Sequence, residues 1–222
     1  GKNSMAVMTR SALYRRIDSM RRKYGIQGVF DPYAFAGAQA IPLALHRFTN
    51  ERLRGILVRT GAYHGVILDT RLTPAEQRFT LTHEIVHFEL HCGEQGGSAF
   101  QNNSGEYQAD EGAAELLMPY RDFIPRVAAA RRKLLQNPTE ALTRLALHYQ
   151  LNCEYIRRRM ISLDHELDLY RKGAPVCALE PLSYHRRQEL GVTEGCFLGK
   201  KSPVSVAGID IFCDDNSRLG VE

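Results

Sequence analysis

The sequence predicts an α+β protein that is mainly helical, with a small antiparallel sheet and a helix-turn-helix-like subdomain after it. Its 222 residues are 44% hydrophobic and 24% charged, the balance of a globular chain with a buried core. Apolar residues recur at helical spacing in most segments, whereas only two short runs within 53–69 have the Val, Ile and Leu content of strands. We therefore expect helices to dominate and one hairpin to interrupt them.

The first part of the chain contains two predicted helices and then the hairpin. Leu13, Ile17 and Met20 are spaced to share one face of the first helix. The predicted elements are helices over Ser11–Tyr24 and Tyr33–Ala40 and strands over Leu53–Thr60 and Gly65–Asp69.

The next helix has a strong start signal. Thr73 is suited to the N-cap, Pro74 to the first helical position and Glu76 to the reciprocal position of a capping box. This helix is expected to run through Glu89 and to end near Gly93.

Turn-forming residues divide the rest of the chain. Residues 93–105 lack periodicity and are predicted to form a loop, and weak strand signals occur at 204–211. Further helices are predicted over Glu106–Met118, Asp122–Gln136, Thr139–His148 and Cys153–Leu163.

Composition and charge restrict the class of protein. No apolar run reaches the roughly 20 residues of a membrane helix, and arginines interrupt the N-terminal segment where a secretory signal would be apolar. The five cysteines are odd in number and form no C-x-x-C pair, so we expect reduced thiols in a cytoplasmic protein. Residues 66–119 hold nine acidic side chains against two basic ones, which suits a bound cation.

His83, Glu84 and His87 form the pattern H-E-x-x-H within the predicted helix. Histidines four residues apart project from one helix face, close enough for both imidazoles to bind one metal ion. Glu84 lies beside them, where it can take a proton from metal-bound water. The pattern predicts a catalytic zinc site, with ordinary surface histidines as the alternative.

A catalytic zinc needs a third protein ligand. The longer pattern H-E-x-x-H-x-x-G-x-x-H is excluded, because Leu90 and Gly93 stand where it requires Gly and His. Glu106 and Asp110 instead form E-x-x-x-D on the next predicted helix. In this pattern a glutamate ligates the metal and a carboxylate one turn later orients a histidine ligand.

Other acidic and histidine side chains near these motifs are expected to have lesser roles. Glu111 and Glu115 share the helix of Glu106, and at least one of them is expected on a solvated face. His91 is predicted to be structural or to orient a ligand. The remaining histidines have no partner at ligand spacing and are predicted to be surface or core residues: His46, His64, His148, His165 and His185.

Residues 141–159 have the helix, four-residue turn and helix layout of a helix-turn-helix. Arg157, Arg158 and Arg159 on the second helix are possible DNA contacts. Gln150 occupies a turn position where glycine is usual, and an arginine triplet often lies on a solvated helix face. A helical subdomain that does not bind DNA is therefore the competing interpretation.

The two site helices carry longer motifs that resemble a known family. The residues are Arg78-Phe79-Thr80-Leu81-Thr82-His83-Glu84-Ile85-Val86-His87, Leu90-His91, Glu106-Tyr107-Gln108-Ala109-Asp110 and Ala114-Glu115-Leu116-Leu117-Met118-Pro119. They resemble the ImmA/IrrE family of zinc metallopeptidases, whose pattern is RFTLAHELGHxxLH followed by E-x-E/Q-A-N/D-x-F-A-x-x-LLMP. Two positions depart from it: Val86 replaces the usual Gly, and Gly112 stands where Phe is common. Neither departure removes a ligand, and both change helix packing near the metal.

The resemblance implies a zincin-like metallopeptidase core of the gluzincin kind. It implies one Zn²⁺ per chain bound by His83, His87 and Glu106, with Glu84 as general base and Asp110 orienting a ligand. It also implies a protein substrate, a helix-turn-helix transcriptional repressor whose cleavage or antagonism releases silenced genes in a stress or mobile-element response.

On this interpretation the chain has three parts, and two other functions compete with peptidase activity. The predicted parts are a zinc metallopeptidase-like domain over 5–136, a helix-turn-helix-like subdomain over 137–172 and a C-terminal segment of unknown role over 173–222. The competing functions are a zinc-containing regulator that binds a repressor without cleaving it, and a DNA-binding protein. The strand Gly65–Asp69 precedes the site helix, and it is predicted to be the sheet edge that holds an extended peptide.

Overall fold

A computed structural model of the chain describes residues 8–61, 63–90, 103–192 and 197–198. The chain divides into two compact units, Leu13–Leu117 and Met118–Glu222, and the second unit also includes Gly1–Ala12. The predicted loop at 93–102, His91 and the strand signals at 204–211 lie outside the described residues. The domain boundaries inferred from the sequence stay predictions.

The first unit combines helices with one small sheet, and its mainly helical α+β character confirms the predicted fold class. Residues 103–105, predicted as loop, are helical. The elements are α1 (Arg10–Lys23, which starts in the second unit), α2 (Pro32–Ala38), β1 (Leu43–His46), β2 (Gly55–Thr60), β3 (Tyr63–Asp69), α3 (Pro74–Leu90) and α4 (Asn103–Leu117).

The sheet is mixed, whereas the sequence predicted only antiparallel pairing. The predicted hairpin is present, with β2 antiparallel to β3 and Gly61 at φ +57° in the connection. The unpredicted strand β1 pairs in parallel with the other side of β3, so the strand order is β1-β3-β2. Since β2 reverses the chain between them, β3 runs in the same direction as β1. β3 is thus the central strand, and its predicted role as the sheet edge is wrong; the edges of the described sheet are β1 and β2.

The start of α3 is fixed by the predicted capping box. The backbone N–H and the hydroxyl of Thr73 each donate to Glu76 Oε2 at 2.8 Å, and the Glu76 N–H donates to Thr73 Oγ1 at 3.4 Å. The Thr73 N–H is the main cause that lowers the pKa of Glu76. Leu81, Ile85 and Val86 are fully buried, so this helix enters the core of its unit.

The second unit is helical throughout its described part. Its core includes Phe123, Leu142, Ile156 and Leu163, each of them fully buried. Its elements are α5 (Tyr120–Gln136), α6 (Pro138–Tyr149), α7 (Cys153–Ser162), α8 (Asp164–Arg171), a 3₁₀ turn (Val176–Ala178) and α9 (Tyr184–Glu189).

Buried charges hold the segment after α8 against the helices. Glu166 is completely buried, and its carboxylate accepts from the Arg187 guanidinium at 2.7 Å and from the Leu182 N–H at 2.9 Å. The Arg10 guanidinium donates to the carbonyl oxygens of Ser162 and Leu182 at 2.8 and 3.1 Å. The stretch 173–192, for which the sequence predicted no role, is thus part of the packed unit.

The turn between α6 and α7 is short, as the sequence predicted, although no glycine stands in it. Gln150 ends α6 in the left-handed conformation, at φ 56° and ψ 41°, which glycine would adopt without strain. Asn152 then begins α7, where its side chain accepts from the Tyr155 N–H at 3.1 Å.

The membrane and cysteine expectations agree with the described part of the chain. No helix there has both the length and the apolar composition that crossing a bilayer requires. Cys153 and Cys177 are free thiols.

Replacing Gln150 with Gly is expected to stabilise the protein by about 0.5 to 1 kcal/mol. The left-handed strain of a non-glycine residue is only partly offset by the larger unfolded-state entropy of glycine, and the Gln150 side chain is exposed. Chemical denaturation of Gln150→Gly and Gln150→Ala measures the difference, since alanine keeps the strain. Equal stability of the two variants would contradict this account.

Candidate metal centre

His83 and His87 lie on one face of α3, one turn apart. Their ring centroids are 4.7 Å apart and their Nε2 atoms 3.0 Å apart. The two side chains are mostly buried, at 14% and 20% exposed. Helical spacing alone explains this pairing.

Glu106 on α4 completes a set of three donors. Its Oε2 lies 3.3 Å from His83 Nε2, and its Oε1 lies 3.3 Å from His87 Nε2. The donor atoms of the three side chains form one compact cluster that is able to hold a metal ion. The structure thus brings together the three ligands that the sequence motifs suggested.

Asp110 lies one turn after Glu106 and contacts the other nitrogen of His83. Its Oδ1 is 2.7 Å from His83 Nδ1. A carboxylate that accepts from Nδ1–H fixes the ring orientation and leaves Nε2 as the nitrogen that can bind a metal ion. Asp110 is therefore placed to direct His83 Nε2 toward Glu106.

The charges of this cluster balance one another. Burial lowers the pKa of His83. The hydrogen bonds that its imidazole donates to Asp110 and Glu106 outweigh this effect and raise the pKa to about 10. The hydrogen bonds to His83 and His87 in turn lower the pKa of Glu106. Acidic side chains thus favour positive charge at the point where the three donors meet.

Glu84 projects from α3 toward β2. It is 7% exposed, and a Cβ added at Gly55 of β2 would lie 3.2 Å from its Oε1. Burial raises its pKa. A carboxylate with a raised pKa is a better proton acceptor, which suits general-base chemistry.

Glu115 is buried, whereas Glu111 is half-buried. The Tyr14 hydroxyl of α1 donates to Glu111, and Glu115 is only 1% exposed. Neither of them belongs to the group of metal-capable donors found in the described residues.

α4 lies close to α3 at the two positions where the sequence departs from the family pattern. A Cβ added at Gly112 would lie 2.9 Å from Val86 Cγ1 and 3.4 Å from Ile17 Cδ1. The added bulk of Val86 therefore occupies the space that a side chain at position 112 would fill. The two departures compensate each other in volume.

The arginine triplet does not form a basic surface. Arg159 is 2% exposed, and its guanidinium donates to the Met118 carbonyl at 3.1 and 3.2 Å, so its predicted DNA contact is wrong. It follows Ile156 by three residues and shares its buried face. Arg158 Nε and Arg157 Nη1 lie 3.1 and 3.9 Å from the same carboxylate, that of Glu154, which offsets their charge.

A helical α+β fold with two histidines and a glutamate converging from successive helices defines a metallopeptidase-like domain. The chain belongs to the IrrE N-terminal-like domain family, Peptidase_M78, which it matches over residues 35–160. The resemblance inferred from the motifs is thus confirmed.

Two further comparisons complete this result. A solved structure described as a Mycobacterium tuberculosis transcriptional regulator is similar at 12% identity and a TM-score of 0.46, over 68% of this chain. The similar part spans 47% of that regulator, about half of its length. The search of curated proteins finds no match.

Substitutions at positions 112 and 86 are expected to have non-additive effects on the free energy of unfolding. Gly112→Ala places a methyl group against the stiff Val86 side chain, and such overpacking typically costs about 1–3 kcal/mol. Val86→Ala removes the opposing methyl groups, so the double variant should be more stable than the sum of the single effects by at least about 1 kcal/mol. A double-mutant cycle by urea denaturation measures this coupling.

Gly105→Ala on the same helix is the matched control, since no atom lies within 4 Å of its added Cβ. Strictly additive effects at 86 and 112 would show that the two positions do not compensate.

Proposed function

We propose that this protein is a zinc-dependent endopeptidase that cleaves a partner protein, a helix-turn-helix transcriptional repressor, and so relieves repression in a stress or mobile-element response. The observation that carries the proposal is the convergence of His83, His87 and Glu106 with Glu84 beside them. Membership of a peptidase family supports it.

The donor atoms are close to the number and spacing that zinc requires. Donors bound at 2.0–2.1 Å in a tetrahedron lie about 3.3 Å apart. The two histidine Nε2 atoms are 3.0 Å apart, and each lies 3.3 Å from one Glu106 oxygen, Oε2 for His83 and Oε1 for His87. Three protein donors are typical of catalytic zinc sites, whereas structural sites use four. A second coordinating cluster is not found elsewhere in the described ranges.

The residues around the ligands have separate roles in hydrolysis. Zinc, when bound, supplies Lewis-acid chemistry for the scissile carbonyl. Glu84 accepts the proton of the attacking water and returns it to the leaving amine. Asp110 keeps the proton of His83 on Nδ1 and thereby keeps Nε2 available.

A peptide is a better partner for this surface than DNA. β2 is an edge of the described sheet and contacts the site through Glu84, so an extended peptide can pair with it next to the proton acceptor. α7 offers few free positive charges to DNA phosphates. Arg159 is buried, and the Glu154 carboxylate pairs with Arg157 and Arg158.

Glu106→Ala is expected to remove most of the bound zinc, because it deletes one of three ligands. Zinc content of the purified chain, measured by atomic emission after dialysis, should fall from about one equivalent to a small fraction. Glu111→Gln serves as control, since this carboxylate contacts Tyr14. Zinc retained by Glu106→Ala and lost by Glu111→Gln would mean that the third ligand is misassigned.

Glu84→Gln is expected to keep the zinc and to abolish cleavage of a co-expressed repressor. The amide preserves the shape of the side chain, but it cannot take a proton from water. Cleavage is followed by the size of the repressor on a gel, and repression by a reporter gene. Relief of repression that persists without cleavage would support the regulator that binds and does not cut.

A further inference from the structure

A groove opens between α5 and α6 of the second unit. Its cavity has a volume of about 300 Å³, at the lower end of the range for binding pockets. Ala141 and Leu145 of α6 are buried and form its apolar floor, and Ala129 and Ala130 line it from α5. Because alanine side chains are short, a further helix can approach this floor closely.

Basic side chains line the rest of the groove. None of the described residues that line it is acidic. Positive charge therefore stands on both helices, where it can attract the carboxylates of a partner. The four basic lining residues are Arg126 and Lys133 on α5 and Arg144 and His148 on α6.

Intramolecular ion pairs leave much of this charge available to a partner. Arg126 pairs with Asp122 at 2.9 Å and Arg144 with Glu140 at 2.8 Å, each within one helix. All four side chains are at least 40% exposed, and exposed pairs of this kind are weak, so a second carboxylate can share each guanidinium. Residues 120–149 also contain six Lys and Arg side chains against two acidic ones, so the helix pair is positive overall.

The combination of an apolar floor and a basic rim selects among anionic partners. A DNA backbone offers phosphates to the rim but no apolar surface to the floor. An amphipathic helix with an apolar face and acidic flanks matches both parts, as in other grooves that bind a helix. A helix-turn-helix repressor is built of helices and is able to offer such a segment.

We propose that the groove between α5 and α6 is a docking site for an acidic amphipathic helix of the protein substrate. This inference rests on the proposed function, because it assigns a second contact to the same substrate. The apolar face of the bound helix packs on Ala141 and Leu145, and its carboxylates pair with Lys133 and Arg144. The contact adds affinity and takes no part in breaking the peptide bond, so it lowers KM and does not change kcat.

A pair of synthetic helices tests the groove on the full chain. The first is a stapled, fluorescently labelled peptide with alanine and leucine on one face and glutamate along both flanks, and the second has lysine in place of each glutamate. Fluorescence anisotropy measures the Kd of each peptide. We expect the acidic peptide to bind and the lysine peptide to bind at least about tenfold more weakly, because the rim repels it.

Two neighbouring residues of α5 provide a matched pair of variants. Lys133→Glu reverses a charge on the rim and should weaken binding of the acidic peptide at least about tenfold. Arg132→Glu makes the same change of charge at an exposed residue outside the lining, and it should weaken binding less than about threefold at physiological salt. Ala129→Tyr places a ring in the groove without changing the charge, and it should also weaken binding.

Cleavage of the purified repressor extends the test to the substrate. Lys133→Glu should raise KM at least about fivefold more than Arg132→Glu does, with kcat the same in both. An unchanged KM in Lys133→Glu would show that the substrate docks elsewhere and would overturn the inference.

The peptide measurements contradict the inference in three further cases. These are no binding of the acidic peptide, equal binding of the lysine peptide, and equal weakening by Lys133→Glu and Arg132→Glu, which would mean that net charge alone attracts the peptide. Duplex DNA that binds more tightly than the acidic peptide, and is lost in Lys133→Glu, would assign the groove to nucleic acid. If no chain cleaves the repressor, the proposed function fails, and the peptide affinities still decide whether the groove binds an acidic helix.

Discussion

Close packing on two sides of α3 is the constraint on which the site depends. On one side α4 approaches at Gly112, where an added Cβ would lie 2.9 Å from Val86, and this approach brings Glu106 to the two histidines. On the other side β2 approaches at Gly55, where an added Cβ would contact Thr80 and Glu84. Protein interiors are packed too densely to absorb an extra methyl group at such points. The distances within the site are therefore set by the absence of side chains at two positions outside it.

Local chemistry accounts for what the sequence predicted well. The capping box of Thr73 and Glu76 uses groups three residues apart, and the pairing of His83 with His87 follows from the helical period. The relation of Glu106 to Asp110 is likewise one helical turn, which is why a motif suggested both. That α4 brings Glu106 to the histidines depends on packing between helices, and no local pattern encodes it.

The features that sequence reasoning missed are those in which tertiary contacts override composition. β1 escaped notice because it is four residues long and all four residues are exposed, so it has no alternation of buried and exposed positions. Arg159 was placed on a solvated face because arginine is seldom buried, yet the Met118 carbonyl satisfies it inside the unit. In α8 the buried residues include Asp164, Glu166 and Asp168, a pattern that hydrophobic periodicity cannot detect. The proximity of Gly55 to Glu84 spans 29 positions and could be found only in three dimensions.

The short strand β1 has a consequence for how this protein behaves in concentrated solution. Leu43 and Leu45 are 41% and 61% exposed on an edge of the described sheet, and an apolar edge is a template on which a second chain can add a strand. Four residues offer only a few backbone hydrogen bonds, too few to offset the entropy of ordering another chain. The brevity of β1 thus disfavours the addition of a second chain at this edge, and an insertion that lengthened this strand would favour it.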